Sequence, residues 1–178
     1  MSRMRVIAGR FRSRKLKPVP GTAVRPTPDR LREALFNVLQ TRIDGTVFLD
    51  AYAGTGAVGI EALSRGAAHA VLIEKRADAL AILRENVRTL ELSSAVTVMR
   101  GSAAALVANY KCDIAFIDPP YEQANEYSAC LLALEATDCT LAIAQHESKL
   151  VLDEVYGPFR KVRVLRQGDN SLTFFERA

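Results

Sequence analysis

Two stretches combine residue types at spacings that suit chemistry: Asp118-Pro119-Pro120-Tyr121 and Gly54-x-Gly56-x-x-Gly59. In the first, two prolines remove two backbone N–H groups and fix φ, which leaves rigid carbonyls. Asp118 and the Pro119 carbonyl then form paired acceptors for an exocyclic –NH₂ with two hydrogens to donate. Holding those hydrogens out of the ring plane would localise the amine lone pair toward an electrophilic methyl group. Tyr121 offers a face on which a base can stack, worth ~1–3 kcal/mol for a base on an aromatic ring. A bare D-P-P would equally suit a rigid strand exit, but the tyrosine and the upstream glycine turn favour catalysis.

The glycine stretch follows an apolar run that ends in Asp50 and opens an apolar helical pattern at Ala57. Glycines let the backbone turn sharply and approach a ligand, and the helix start offers unpaired N–H groups. Glu74 lies twenty residues beyond Gly54, at the end of the next apolar run, where an acid can hold a ribose. The pattern points to a cofactor with a nucleoside. NAD and S-adenosylmethionine both satisfy it. Asp50, at the tip of the first run, suits cationic amino and sulfonium groups better than a pyrophosphate, which it would repel. A loop-capping role is its plainer alternative.

Other catalytic classes lack their residues. Cys112, Cys130 and Cys139 are widely spaced without C-x-x-C, and His69 and His146 stand alone, so no metal site is expected and each reads as structural. No G-x-S-x-G elbow is present.

The elements that must position these groups alternate strand and helix. Strands are expected over 46–50, 70–74, 96–99, 112–118 and 140–145, with a closing pair over 160–165 and 171–176. Helices are expected over 57–64, 77–90, 103–109 and 125–135. Such alternation argues for a mostly parallel α/β sheet with helices on both faces. Ahead of it, 5–8 and 14–17 read as a short hairpin around Gly9, and four prolines within residues 18–28 mark a loop. Thr27 can cap a helix with Pro28 at its first position. Leu31, Ala34, Leu35, Val38 and Leu39 then form one apolar face, with Arg30 and Arg32 off that stripe. Asp44-Gly45 marks the boundary, which divides the chain into 1–43 and 44–178.

Charge divides at the same place. Of 178 residues, the first 42 hold eleven bases against two acids, a balance of +9. The remainder holds 13 bases and 18 acids, or −5. A basic segment on an acidic body suits a polyanion, since Lys and Arg neutralise phosphates and release counterions. A solvated cationic face is the bland alternative. The apolar runs are too short to span a bilayer and the N-terminus lacks a secretory pattern, so a cytoplasmic location is expected.

Asp118-Pro119-Pro120-Tyr121 resembles the signature of S-adenosylmethionine-dependent methyltransferases of exocyclic base amines. The likeness extends through Arg25-Pro26-Thr27, Arg30-x-x-Glu33-Ala34-Leu35-Phe36-Asn37, Leu49-Asp50-x-x-Ala53-Gly54-Thr55-Gly56 and the run from Gly59 to Ala67. Together these resemble the RsmD family, bacterial methyltransferases of guanine N2 in 16S rRNA. The resemblance implies a Rossmann-like sheet of seven strands with the last antiparallel, and S-adenosylmethionine as cofactor. It implies cofactor contacts from Asp50, Tyr52, Ala53, Gly54, Thr55, Gly56, Glu74, Lys75, Ser102, Ala103 and Asp118. Asp118, Pro119, Pro120 and Tyr121 would form the catalytic motif. One departure stands out: relatives often place an acid after the third strand, whereas this chain has Arg100-Gly101-Ser102-Ala103.

The implied partner is 16S rRNA, in the small subunit or its precursor, with no membrane and no metal. Arg10, Arg12, Arg14, Lys15, Lys17, Arg25 and Arg30 would grip phosphates around a base flipped into the pocket. Arg160, Lys161, Arg163 and Arg166 either extend that patch or guard a sheet edge. Competing expectations are a DNA adenine-N6 methyltransferase, an NAD(P)-dependent oxidoreductase and a non-catalytic assembly factor. The first has little chain outside the catalytic unit for reading duplex DNA, and the other two leave D-P-P-Y unexplained.

Overall fold

The computed structural model describes residues 4–21 and 27–178. Five short, mainly apolar runs become parallel strands: β1 (Val47–Asp50), β2 (His69–Glu74), β3 (Val96–Arg100), β4 (Ile114–Ile117) and β5 (Leu141–Glu147). Continuous apolar sequence is what a strand covered on both faces requires. The chain then adds β6 (Val155–Tyr156), β7 (Phe159–Gln167) and β8 (Asn170–Arg177). The sheet order is β3-β2-β1-β4-β5-β8-β7-β6. The final strand, β8, slots between β5 and β7 and runs antiparallel to both. The sheet thus has the seven expected strands plus β6, a two-residue edge strand too short to leave a periodic trace in sequence.

Alternation along each strand sorts side chains into two apolar layers. Phe48, Leu72, Phe116 and Ile143 face helices α1 (Asp29–Val38), α2 (Ala57–Ser64) and α3 (Ala77–Thr89). Leu49, Ile73, Ile117 and Ala144 face α4 (Ala103–Leu106) and α5 (Asn125–Ala133). Val6, Leu16, Leu31, Leu35, Phe36, Leu39 and Ile43 join the first layer, so the N-terminal segment packs into the same core as the sheet.

That segment is fastened to α2 by buried polar bonds. Ile7 and Ala8 donate their N–H groups to Glu61 at 2.8 and 3.1 Å. Arg10 N–H takes the Ser64 carbonyl at 2.8 Å, one of the orphan acceptors at a helix end, and Phe11 N–H takes Ser64 Oγ at 2.9 Å. Gly9, at φ +85°, is required there, because an added Cβ would lie 2.0 Å from the Ser64 carbonyl oxygen. These bonds divert the backbone from the expected hairpin ladder, which is reduced to an Arg5–Lys15 bridge and its flanking bonds.

Helix α1 departs from the sequence reading in two respects. It begins at Asp29 with Pro28 as its flanking residue, so neither Thr27 nor any other side chain caps it. Arg32, expected off the apolar stripe, is fully buried. It precedes Leu35 and Phe36 by three and four residues, so it shares their side of the helix. Its Nη2 donates to the Arg5 carbonyl at 2.7 Å and to Asp29 at 3.1 Å, while Nε lies 3.8 Å from Glu61. Arg65, just past the end of α2 and four residues beyond Glu61, donates to it at 3.0 Å. An arginine inside an apolar layer is tolerable only with such acceptors.

Candidate functional site

The strand order reverses between β1 and β4: the chain runs outward through β2 and β3, then returns to pair β4 against β1. Open α/β sheets bind ligands at that switch, beyond the carboxyl ends of the strands. Both chemical motifs of the sequence emerge there. They line one cleft of about 540 Å³ together with the end of β2, the start of α4 and the end of β5.

The first wall is the turn from β1 into α2. Ala51 N–H bonds the Phe116 carbonyl at 3.0 Å and Ala53 N–H the Ile73 carbonyl at 2.8 Å, which anchors the turn to both neighbouring strands. Gly54 N–H donates to Glu74 Oε2 at 2.7 Å, and Arg76 N–H donates to Glu74 Oε1 at 2.8 Å. The carboxylate that ends β2 is therefore fixed in place by two backbone donors. Gly56 differs from its neighbours. It is not among the lining residues, and an added Cβ would stand 2.4 Å from Leu83 Cδ1. Gly59 likewise faces Leu72 Cδ2, 2.2 Å from where its Cβ would be. The second and third glycines thus bring α2 against α3 and β2, and only Gly54 of the three meets the cleft.

Asp50 forms the floor. It is 1% exposed and accepts Tyr52 N–H at 3.2 Å. Burial pushes its carboxyl up to about 8, partly opposed by the Tyr52 bond and reinforced by the charges of Asp118 and Glu74. A carboxyl so placed is completed by a cationic ligand and opposed by a phosphate. The residues therefore fit an aminoacyl cofactor with a positive end better than a dinucleotide. Tyr52 lines the wall beside it, its hydroxyl donating to Glu126 of α5 at 2.6 Å and lying 3.3 Å from Cys130 Sγ.

The opposite wall is the exit of β4. Asp118, Pro119, Pro120 and Tyr121 all line the cleft. Pro119 is buried, Asp118 half-buried, and Tyr121 stands 42% exposed at the mouth. The Tyr121 hydroxyl donates to Asn170 Oδ1 at 3.2 Å, which ties the ring across to the start of β8. Gln123 N–H closes a turn onto the Pro120 carbonyl at 3.0 Å.

Lys75, Ser102 and Ala103 also line the cleft, as do Ala53 and Thr55, so Gly56 is the one expected cofactor residue set behind it. Ser102 precedes α4 and occupies the place where an acid was expected. Arg10, Arg12, Arg14, Lys15, Lys17 and Arg30 are exposed and outside the cleft; Arg25 lies outside the described residues. Lys17 is drawn into an ion pair with Glu85 of α3. Sequence reasoning missed Thr27, Phe116, Glu126 and Gln145 as lining residues. For Gln145 a signal existed, a single polar residue closing an apolar strand. Of the histidines, His146 is buried, with Nδ1 2.8 Å from the Glu147 carbonyl and Nε2 2.6 Å from Thr173 Oγ1. His69 Nε2 lies 2.8 Å from Thr97 Oγ1, and the three cysteines are buried and free. No helix among the described residues is long and apolar enough to cross a membrane.

A parallel 3-2-1-4-5 sheet closed by a reversed last strand, with a glycine turn after β1 and D-P-P-Y after β4, defines a Rossmann-like methyltransferase. The family model described as "Conserved hypothetical protein 95" matches residues 4–176, and the chain belongs to that family, the S-adenosylmethionine-dependent, RsmD-type rRNA methyltransferases. It is 33% identical to YlbH of Bacillus subtilis over 98% of this chain and 99% of that protein. It is 43% identical to ribosomal RNA small subunit methyltransferase D of Escherichia coli over 67% of this chain and 61% of the relative. Among solved structures, yhhF of Escherichia coli superposes with a TM-score of 0.86 at 32% identity, covering 99% and 98% of the two chains. An RNA methyltransferase from Salinibacter ruber, in complex with S-adenosyl-L-homocysteine, shares the fold at a TM-score of 0.67 and 15% identity, over 86% and 94%.

Proposed function

We propose that this cleft methylates the exocyclic N2 amine of a guanine in 16S rRNA, in the small subunit or its precursor, in the cytosol. The observation that carries this reading is the placement of Asp118-Pro119-Pro120-Tyr121 in the same cleft as Asp50 and the Gly54 turn. When bound, S-adenosylmethionine supplies a methyl group made electrophilic by its sulfonium. Asp50 takes the cationic amino end, and Glu74, already oriented by Gly54 and Arg76, takes the ribose hydroxyls. Tyr52, Ala53, Thr55, Lys75, Ser102 and Ala103 line the remainder of that half.

Asp118 and the Pro119 carbonyl accept the two hydrogens of the guanine amine, so that its lone pair points at the methyl carbon. Asp118 takes the amine proton and passes it to solvent as the amine nitrogen receives the methyl group in a direct transfer that leaves S-adenosylhomocysteine. No covalent enzyme intermediate is needed. Tyr121, exposed at the mouth, stacks on the base that enters. Residues 1–43 act as an RNA-binding extension of a catalytic domain over 44–178. Arg10, Arg12, Arg14, Lys15 and Arg30 meet phosphate on its outer side, and Arg25 falls between Lys15 and Arg30 in the chain.

Incubation with radiolabelled methyl donor and unmethylated small subunits, followed by mass mapping of the labelled nucleotide, tests the proposal. Label in N2-methylguanine of 16S rRNA is expected. Label in adenine of duplex DNA, or binding of subunits without transfer, would overturn it.

A further inference from the structure

Gln145 is the last polar residue to face the cleft from β5, and its chemistry is unused by the reading above. It is 7% exposed, and its side-chain Oε1 is buried with no hydrogen-bond partner. Leaving a buried acceptor unpaired is costly, so such an atom in a cleft wall marks a place where a donor arrives. The backbone there is rigid: Tyr127 of α5 donates its hydroxyl to the Gln145 carbonyl at 2.5 Å. Residues 121–123, all exposed, line the same cleft.

The sheet order states which ligand that donor belongs to. Along β2-β1-β4-β5, the cleft meets Glu74, then Asp50, then Asp118, then Gln145. All four continue the alternation of the face bearing Leu72, Phe48, Phe116 and Ile143. Ile117 pairs with Ala144, so Asp118 and Gln145 follow side by side, on strands ~4.8 Å apart. The cofactor half lies toward β2. Gln145 therefore stands beyond Asp118, on the side away from it and next to the amine that Asp118 holds.

We infer that Gln145 reads the base. This rests on the proposed function and deepens it by naming a residue that chooses guanine. Beside its N2 amine, guanine presents N1–H, a donor, and then O6, an acceptor. Beside its N6 amine, adenine presents N1, an acceptor, which would oppose Oε1. A carboxamide offers one acceptor and an –NH₂ donor, the complement of N1–H and O6. Bidentate amide and guanidinium contacts of this kind discriminate between bases by ~1–3 kcal/mol.

The test compares the mapped target guanine with 2-aminopurine at the same position in reconstituted small subunits. That analogue keeps the 2-amino group and lacks N1–H and O6. Wild-type protein should prefer guanine by roughly tenfold to a hundredfold in kcat/KM. Gln145→Leu should bring the two substrates to near equality, mainly by losing guanine. Gln145→Glu, which keeps an acceptor, should retain a preference for guanine. Calorimetric binding of S-adenosylmethionine should be unchanged in both variants, which also shows that they fold. A guanine preference undiminished in Gln145→Leu would overturn the inference, as would loss of cofactor binding in that variant. Failure of the wild-type protein to methylate guanine N2 would instead overturn the reading of the site itself.

Discussion

Asp50 on the cleft floor and Arg12 on the outer side of the extension each carry one ionisable group, and their surroundings treat it in opposite ways. Asp50 is almost wholly removed from water, so its protonation is set by burial and by the acids around it. Arg12 is exposed, as are Arg10, Arg14 and Lys15. Such charges are screened over about 10 Å at 0.1 M salt and act as a field more than as contacts. The extension nevertheless has an inner side built like the cleft, where Arg32 and Glu61 are buried and Arg65 is half-buried beside the segment carrying Ile7 and Ala8. The contrast teaches that a basic segment can be half structural. Its charge total overstates what is offered to a polyanion, because Arg32 and Lys17 are already engaged within the chain.

The largest effect expected from breaking this arrangement is on stability. Glu61→Ala removes the acceptor of two backbone N–H groups and leaves Arg32 and Arg65 without it. Breaking a buried ion pair from one side costs ~3–5 kcal/mol, and denaturant unfolding should show a loss of that size. A loss under 1 kcal/mol would mean that the inner side of the extension is held by apolar packing alone.

Asp118→Ala comes next. Turnover should fall by ~10²–10³, the size of one lost polar contact to a transition state, with cofactor affinity retained. Single-turnover methyl transfer measures the first and calorimetry the second, and normal turnover would remove Asp118 from catalysis.

Asp50 predicts a pH dependence. Below about 8 its carboxyl is protonated in the free protein, and a cationic cofactor requires it ionised. Binding should therefore release a proton, and affinity should rise with pH by up to about tenfold per unit until it levels near 8. Asp50→Asn should flatten that slope. For the free protein the sign is reversed. A folded pKa raised above the ordinary 3.8 means that the folded state holds the extra proton between 3.8 and about 8. Stability should thus be greatest at the acid end of that window and fall as pH rises through it, a trend that Asp50→Asn should remove.

The smallest effect belongs to the outer side. Replacing Arg12, Arg14 and Lys15 together with alanine should leave stability and cofactor binding unchanged. It should weaken RNA binding and reduce the slope of log K against log salt by roughly 2–3. An unchanged slope would return these residues to the role of a solvating face.

The strands and helices were legible because each carries its own periodicity: β1, β2 and β4 as apolar runs, α3 as a stripe of Leu80, Leu83 and Val87. β6 was illegible because two residues have no period, and the hairpin was overread because Glu61 competes for the N–H groups of its strand. Within the candidate site, the glycine turn and D-P-P-Y were legible because each is contiguous and carries its own backbone consequence. The rest depended on neighbours distant in sequence. Gly56 matches the fingerprint as well as Gly54 does, yet Leu83 stands where its side chain would go.

By itself, then, the sequence determined the local geometry: a sharp glycine turn that opens a helix, rigid carbonyls at a D-P-P exit, an acid at the end of β2, and one basic end of the chain. These follow from torsional and charge properties that a residue carries anywhere. Only the tertiary structure decided that Arg32 is a buried tie and Arg12 a surface charge, though both are arginines in the same basic stretch. It alone set Gln145 beside Asp118, 27 positions apart in the chain, through the pairing of β4 with β5. Burial and cross-strand contact depend on where the rest of the chain lies, and no local window of sequence contains that information.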